Sequence, residues 1–228
     1  MKKPLLLLHG AISSGRQFTG LSSFLNEEFE VHTPDFPGHG GEEIPDRFSV
    51  QEFAKYILHY LDESKIAEAS VFGYSMGGYV ALYLAVHWPE KISNIFTLAT
   101  KLEWTEDIAE SEAAQLSPQK ILEKVPAFAD TLREIHSPQD WKKVLEKTSE
   151  MILDLGKRPL LCEKEFQQIK IPVTVAVGEQ DKMVSVAESK NAVTHLPDGQ
   201  FLLLPSTPHP FEKVNQEMLA AYLNDFFI

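Results

Sequence analysis

The sequence predicts an α/β fold in which a mostly parallel sheet of about six strands carries helices on both faces. Short apolar runs typical of buried strands alternate with helical segments along most of the 228 residues. Because parallel strands need a crossover connection, usually a helix, this alternation is typical of a parallel sheet covered on both sides. One long stretch after residue 100 departs from the alternation and is predicted to be helical.

The first hundred residues contain four of the predicted strands. They are expected at 4–8, 29–33, 70–72 and 92–99. A helix with apolar spacing is predicted at 18–25. Ser49 is the expected N-cap of an amphipathic second helix. A third helix, 76–88, is expected to end at Pro89, because proline cannot continue a helix.

The stretch 101–166, called the helical insert below, is charged and contains no strand-like run. Ser117-Pro118 and Ser137-Pro138 are predicted helix starts, since a serine N-cap is often followed by proline in the first turn. Gly156 is predicted to end the second of these helices. Strands resume at 173–177 and 201–204, with helices at 186–193 and 218–227. Residues 1–100 and 167–228 are thus expected to form one core, interrupted by the insert.

Composition argues against several classes of partner. The net charge is −12, which argues against nucleic acid and anionic membrane surfaces. No apolar run approaches the roughly 18 residues of a membrane span, and the run 5–8 is too short for a signal peptide. The only cysteine, Cys162, allows no internal disulfide. The single cysteine and the missing signal favour a cytoplasmic setting. The charge says little about a small-molecule substrate, which is the expected partner. The oligomeric state is left open.

Residues 73–77 read Gly-Tyr-Ser-Met-Gly and lie between a predicted strand and a predicted helix. A turn this tight forces Ser75 into a strained backbone conformation, so small residues must flank it. The hydroxyl then stands at a helix N-terminus, where free N–H groups favour developing negative charge. The pattern therefore predicts a nucleophilic serine at the top of the sheet.

Three further segments are predicted to meet Ser75 at the same edge of the sheet. Gly10-Ala11 follows the first strand, Asp181 the fifth and His209 the last. In open parallel sheets, functional groups gather at the carboxyl ends of the strands. A serine nucleophile needs a base, and a histidine base needs a carboxylate to orient it. Ser75, Asp181 and His209 occur along the chain in an order that is known for sets of a nucleophile, an acid and a base.

Other residues compete for these roles and are set aside. His195 precedes the last strand and so lies at the wrong end, whereas His9 and His39 are expected to brace their loops. Glu179 is expected to be exposed, and Asp198 belongs to a Pro-Asp-Gly turn.

Metal and dinucleotide sites are not predicted. The spacing of His32, Asp35 and His39 fits no zinc pattern. Gly38-x-Gly40 begins like a dinucleotide fingerprint, but position 43 is glutamate and no helix starts there.

The chain resembles the α/β-hydrolase superfamily over essentially its whole length. The resembling stretches are 8–10 (Leu-His-Gly), 35–40 (Asp-x-Pro-Gly-His-Gly), 73–78, 178–181 and the late His209. The resemblance implies Ser75 as nucleophile, Asp181 as acid and His209 as base. It also implies an oxyanion hole from the N–H groups of Ala11 and Met76, and a helical cap formed by the insert.

The chain departs from the family in two places. It starts directly at the strand before His9-Gly10, so the usual leading antiparallel hairpin is expected to be absent and the strand 29–33 to lie at an edge. The histidine lies in Thr-Pro-His-Pro rather than the commoner Gly-His.

The function expected from the resemblance is a serine hydrolase for an ester or thioester of a small to medium acyl group, without metal or organic cofactor. Three other functions stay open. Residues 35–41 and 73–78 are also similar to the menaquinone-pathway lyase that makes succinyl-hydroxycyclohexadiene carboxylate, although its arginine after Gly-Gly is Tyr79 here. A carbon–carbon bond hydrolase is possible for similar reasons. A ligand-binding receptor on the same fold is the alternative from another class.

Overall fold

The computed structural model describes residues 2–228 and contains one six-stranded parallel sheet. Its strands are β1 (Lys3–Leu8), β2 (Phe29–His32), β3 (Ala69–Tyr74), β4 (Ile92–Leu98), β5 (Val173–Gly178) and β6 (Gly199–Leu204). Their order is β2-β1-β3-β4-β5-β6, and each neighbouring pair is parallel. The predicted fold class is confirmed, and β2 lies at an edge as expected.

Ten α-helices accompany the strands within residues 2–228. They are α1 (Thr19–Leu25), α2 (Val50–Glu63), α3 (Met76–His87), α4 (Glu106–Ala113), α5 (Pro118–Lys124), α6 (Pro126–His136), α7 (Trp141–Lys157), α8 (Glu163–Phe166), α9 (Val186–His195) and α10 (Gln216–Phe227). None of these helices combines the length and the apolar character that crossing a membrane requires.

Both faces of the sheet are buried, and β1 shows why. Successive side chains of a strand point to opposite faces. Leu5 and Leu7 join an apolar cluster with α1 and α10, while Leu6 and Leu8 join another with α2 and α3. All four leucines are fully buried. A continuous apolar run is therefore what a central strand with helices on both faces requires.

The helical insert follows the predicted helix starts only in part. Ser117 caps α5 by accepting the Lys120 N–H at 3.4 Å, as predicted. The prediction for Ser137-Pro138 is wrong: α7 begins later, at Trp141, and Asp140 is its N-cap. The reason is that α6 continues to His136, so Ser137 and Pro138 form the turn between two helices. Asp140, an equally good capping residue, lies next to the first helical position.

Gly156 does not end α7, which continues to Lys157. A Cβ atom on Gly156 would lie 2.3 Å from the Cβ of Ala109 in α4. The glycine therefore allows α4 and α7 to pack closely, a tertiary reason that its position in the sequence does not reveal.

Candidate active site

Ser75 occupies the turn between β3 and α3. Its φ is 51° and its ψ is −117°, a backbone conformation that residues other than glycine adopt only under strain. The turn is held by the backbone: the Ser75 N–H donates to the Leu98 carbonyl at 2.8 Å, and the Ser75 carbonyl accepts from Thr100 Oγ1 at 3.0 Å. The hydroxyl makes no helix-capping bond. The strained serine predicted from the sequence is thus present, with its side chain outside the bonds that hold the turn.

Asp181 and His209 form a hydrogen-bonded pair at the same edge of the sheet. His209 Nδ1 lies 2.8 Å from Asp181 Oδ2, and the Asp181 side chain is fully buried. The other carboxylate oxygen, Oδ1, accepts N–H bonds from Met183 at 2.8 Å and Val184 at 2.9 Å. A carboxylate accepts hydrogen bonds, so Nδ1 donates to Asp181, and in the neutral imidazole Nε2 is then the nitrogen with a free lone pair.

The pKa of Asp181 is lower than its ordinary value. Burial alone would raise this pKa, but the hydrogen bond from His209, the two backbone N–H groups and the attraction to His209 together outweigh it. The carboxylate is therefore ionised at neutral pH and can stabilise positive charge on the imidazole.

Two contacts link the turn at Ser75 to neighbouring loops. One loop follows β6 and carries His209, and the other follows β1 and is called the first loop below. The Tyr74 hydroxyl donates to the His209 carbonyl at 2.7 Å, and their rings lie 5.7 Å apart between centroids. A Cβ atom on Gly10 would lie 3.5 Å from the Ser75 Cβ. The structure therefore places Gly10 next to Ser75 and the loop that carries His209 against Tyr74.

Tyr74 and Thr100 belong to the site but were not identified from the sequence. Tyr74 ties the His209 loop to the residue before the serine, and Thr100 holds the serine carbonyl. Thr100 stands just beyond the carboxyl end of β4, so its position at a strand end was the one available signal.

His9 and His39 brace loops, as the sequence analysis expected. His9 Nδ1 donates to the Gly10 carbonyl at 2.8 Å, and Nε2 accepts the Phe36 N–H at 3.0 Å. His39 Nδ1 donates to the Pro37 carbonyl at 3.2 Å. Together with His136 of α6 they form a buried group, with ring centroids 5.2 Å apart for His9 and His39 and 5.8 Å for His39 and His136.

Acidification is expected to destabilise the fold through these three buried histidines. Burial lowers the pKa of His9 from 6.5 to about 4 and also lowers those of His39 and His136. The unfolded chain then binds more protons than the folded one below about pH 6.5, so stability falls as the pH drops towards about 4. Thermal unfolding at pH 7 and pH 5 should show a lower midpoint at pH 5. His39→Gln should shrink that difference, whereas His59→Gln, with 69% of its side chain exposed, should not.

Tyr79 has a structural role in the fold. It occupies the position at which the similar lyase carries an arginine. Its hydroxyl accepts the Leu160 N–H at 3.2 Å and the Leu161 N–H at 3.1 Å. Burial raises its pKa, so the hydroxyl stays neutral. Tyr79 thus fixes the end of the helical insert to α3.

Tyr79→Phe is expected to lower the free energy of unfolding by about 1–3 kcal/mol, because the buried Leu161 N–H and the partly buried Leu160 N–H lose their acceptor. We expect kcat to change less than threefold. Denaturant unfolding and steady-state kinetics check both values. Tyr83→Phe, one turn later on α3, is the matched control; a large loss of kcat in Tyr79→Phe alone would instead assign Tyr79 to substrate.

Comparisons with known proteins agree with this architecture. A model of the alpha/beta hydrolase fold matches residues 3–145, more than half of the chain. The 3-oxoadipate enol-lactonase 2 of Acinetobacter baylyi is 26% identical over 201 residues, covering 79% of this chain and 68% of that protein. The pimeloyl-acyl-carrier-protein methyl ester esterase of Neisseria meningitidis is 23% identical, covering 98% and 93%.

Solved structures extend the likeness over nearly the whole length. MenH from S. aureus superposes with a TM-score of 0.78 at 24% identity, covering 99% of this chain and 93% of that one. An identity this low shows the shared fold alone. Because the family model spans most of the chain, the protein belongs to the alpha/beta hydrolase fold family.

Proposed function

We propose that this protein is a serine hydrolase that cleaves a carboxylic ester or thioester of a small to medium acyl group. The observation that carries the proposal is the His209–Asp181 hydrogen bond of 2.8 Å, tied through Tyr74 to the strained Ser75 turn. A serine hydroxyl is a weak nucleophile unless a base removes its proton. A histidine oriented by an ionised, buried carboxylate is such a base.

Each residue has a defined part in the proposed reaction. Ser75 Oγ attacks the substrate carbonyl while His209 Nε2 takes the hydroxyl proton, and Asp181 stabilises the resulting imidazolium. The N–H groups of Met76 and Ala11 hold the oxyanion. Collapse of the tetrahedral intermediate expels the alcohol or thiol, which receives the proton from His209. Water then attacks the acyl-enzyme by the same route and releases the acid and Ser75.

The relatives support this substrate class. A methyl ester and an enol-lactone both contain a carbonyl bonded to an oxygen leaving group, and these are the substrates named for two of them. We further propose that the helical insert caps the site, that no metal or organic cofactor takes part, and that the protein acts in the cytoplasm. Its net charge of −12 favours a small-molecule substrate over nucleic acid or an anionic membrane surface.

The test is hydrolysis of two matched chain-length series, p-nitrophenyl esters and acyl thioesters, followed to steady state. Many turnovers with a clear optimum in chain length support the proposal, and the optimum measures the acyl pocket. A fluorophosphonate probe should add its mass to the peptide that contains Ser75, and mass spectrometry after digestion identifies the modified residue.

The alternatives give different results in the same experiment. A receptor would release at most one equivalent of p-nitrophenol and stop. A lyase or a carbon–carbon bond hydrolase would turn over none of the esters or thioesters, although the probe would still label the serine. Labelling at another residue would remove Ser75 from the proposed role altogether.

A further inference from the structure

His136 connects the helical insert to the loop that follows β1. It is the last residue of α6 and is fully buried. Its Nε2 lies 3.1 Å from the carbonyl oxygen of Ile12. A carbonyl oxygen accepts hydrogen bonds, so Nε2 carries the proton and donates it. The bond joins residues 124 positions apart and reaches from the insert to the residue after Ala11.

Ile12 needs such a restraint because its backbone is strained. Its φ is 55°, in the left-handed region that β-branched residues avoid. Holding a residue there costs about 1–3 kcal/mol and persists only where the surroundings over-determine the conformation. Without its partners the loop would relax, and the peptide N–H of the adjacent Ala11 would turn with it.

The insert supplies those surroundings. The Ile12 side chain packs against the main core cluster and also against the insert's own cluster, which contains Leu132, Trp141 and Leu145. The turn after His136 is seated on the core as well: a Cβ atom on Gly41 would lie 2.7 Å from the Ser137 carbonyl oxygen. The conformation of Ile12 therefore depends on the insert lying against the core.

We propose that His136 is a positioning residue that holds the Ile12 carbonyl, and through it the Ala11 N–H, in place for the oxyanion. The inference rests on the proposed function, in which that N–H stabilises the tetrahedral intermediate. It adds that seating of the insert and completion of the oxyanion hole are coupled. A substrate would meet a complete site only when α6 lies against the first loop.

The histidine is suited to this part because it stays neutral. Its Nδ1 is buried and has no hydrogen-bond partner within residues 2–228. The charged and titratable groups around it are His39 and Asp35, both from the loop after β2, and His9, directly after β1. Burial outweighs the attraction to Asp35 and lowers the pKa of His136. The neutral ring therefore has one N–H donor, Nε2, and one unprotonated nitrogen, Nδ1.

The experiment compares His136→Asn, His136→Gln and His136→Phe with the exposed control Glu134→Gln on the same helix. Glutamine can place an amide N–H near the position of Nε2, whereas asparagine is too short and phenylalanine has no donor. Each variant is assayed for kcat and KM on the best ester. Its affinity for a boronic acid with the same acyl group is also measured, since the boronate forms an anionic tetrahedral adduct on serine.

Displacing one oxyanion donor should lower kcat by about 10- to 100-fold in the Asn and Phe variants. Boronate affinity should fall by a similar factor, while KM stays within about threefold. His136→Gln should keep most of the wild-type kcat and most of the boronate affinity. Glu134→Gln should match wild type in both quantities. If His136→Phe does not fold, the Asn and Gln pair still decides the question.

The inference and the proposed function fail in different ways. Wild-type kcat and boronate affinity in His136→Asn would overturn the role of His136. So would a loss confined to KM or thermal stability. In either case the hydrolase would stand if Ser75→Ala is inactive. Undiminished turnover in Ser75→Ala would instead overturn the proposed function.

Discussion

Ser75→Ala should lower kcat by about 10⁴-fold or more, the loss typical of removing the nucleophile of a serine hydrolase. The remaining oxyanion donors cannot replace the covalent intermediate. The fold should be retained, because the Ser75 turn is held by its backbone N–H to Leu98 and its carbonyl to Thr100. Alanine keeps both bonds, and no helix-capping bond of the hydroxyl is lost.

Steady-state kinetics of Ser75→Ala measures the loss of kcat, and thermal unfolding of the same preparation checks that the fold is retained. Ser70→Ala is a suitable control, because Ser70 lies earlier on β3 and its hydroxyl meets Ser93 Oγ at 3.2 Å. It should keep kcat within about threefold. If Ser75→Ala is folded and still hydrolyses the ester at a rate near wild type, Ser75 is not the nucleophile.

The sheet and the contact between Asp181 and His209 were predictable because local patterns and one topological rule determine them. β1 contains four consecutive buried leucines and every residue of β3 is buried, so each strand contains a short apolar stretch. Parallel strands then share one carboxyl edge, so residues following β1, β3, β5 and β6 must converge. No contact between distant residues had to be guessed.

The parts that could not be predicted depend on contacts between segments far apart in the chain. Gly156 looks like a helix end until Ala109 is seen against it. Ser137-Pro138 looks like a helix start, but α6 extends up to it and Asp140 takes the capping role. The bond between His136 and Ile12 follows from no spacing or periodicity. In the first two cases, tertiary packing overrides a local sequence signal. In the third case, the sequence contains no local signal for the contact.

Asp181→Asn is expected to lower kcat by about 10⁴-fold, nearly as much as loss of the nucleophile. Asp181 Oδ1 accepts N–H bonds from Met183 and Val184, so the asparagine oxygen should take that side. Its NH₂ group then faces His209 Nδ1 and donates to it. The imidazole proton moves to Nε2, where the base needs a lone pair, and the serine proton has no acceptor.

Kinetics of the variant from pH 6 to 9 should show no recovery towards wild type. The pKa of Asp181 lies below its ordinary value of 3.8, so the carboxylate is charged throughout this range in wild type and absent throughout it in the variant. Stability gives a second measure. A lowered folded-state pKa stabilises the protein above about pH 4, and this contribution disappears as the pH falls through the folded-state value. The difference in unfolding midpoint between wild type and Asp181→Asn should therefore narrow at strongly acidic pH.

Glu179→Gln and Asp198→Asn are the matched controls, because these two exposed carboxylates are the other candidates near β5 and β6. The Glu179 carboxylate accepts the Ser206 N–H at 2.9 Å and does not contact the imidazole in the structure, so its variant should keep most of kcat. A large loss in either control with little loss in Asp181→Asn would mean that His209 is oriented by a different acid during catalysis. The 2.8 Å bond from His209 makes Asp181 the one carboxylate whose neutralisation should change the tautomer of the base.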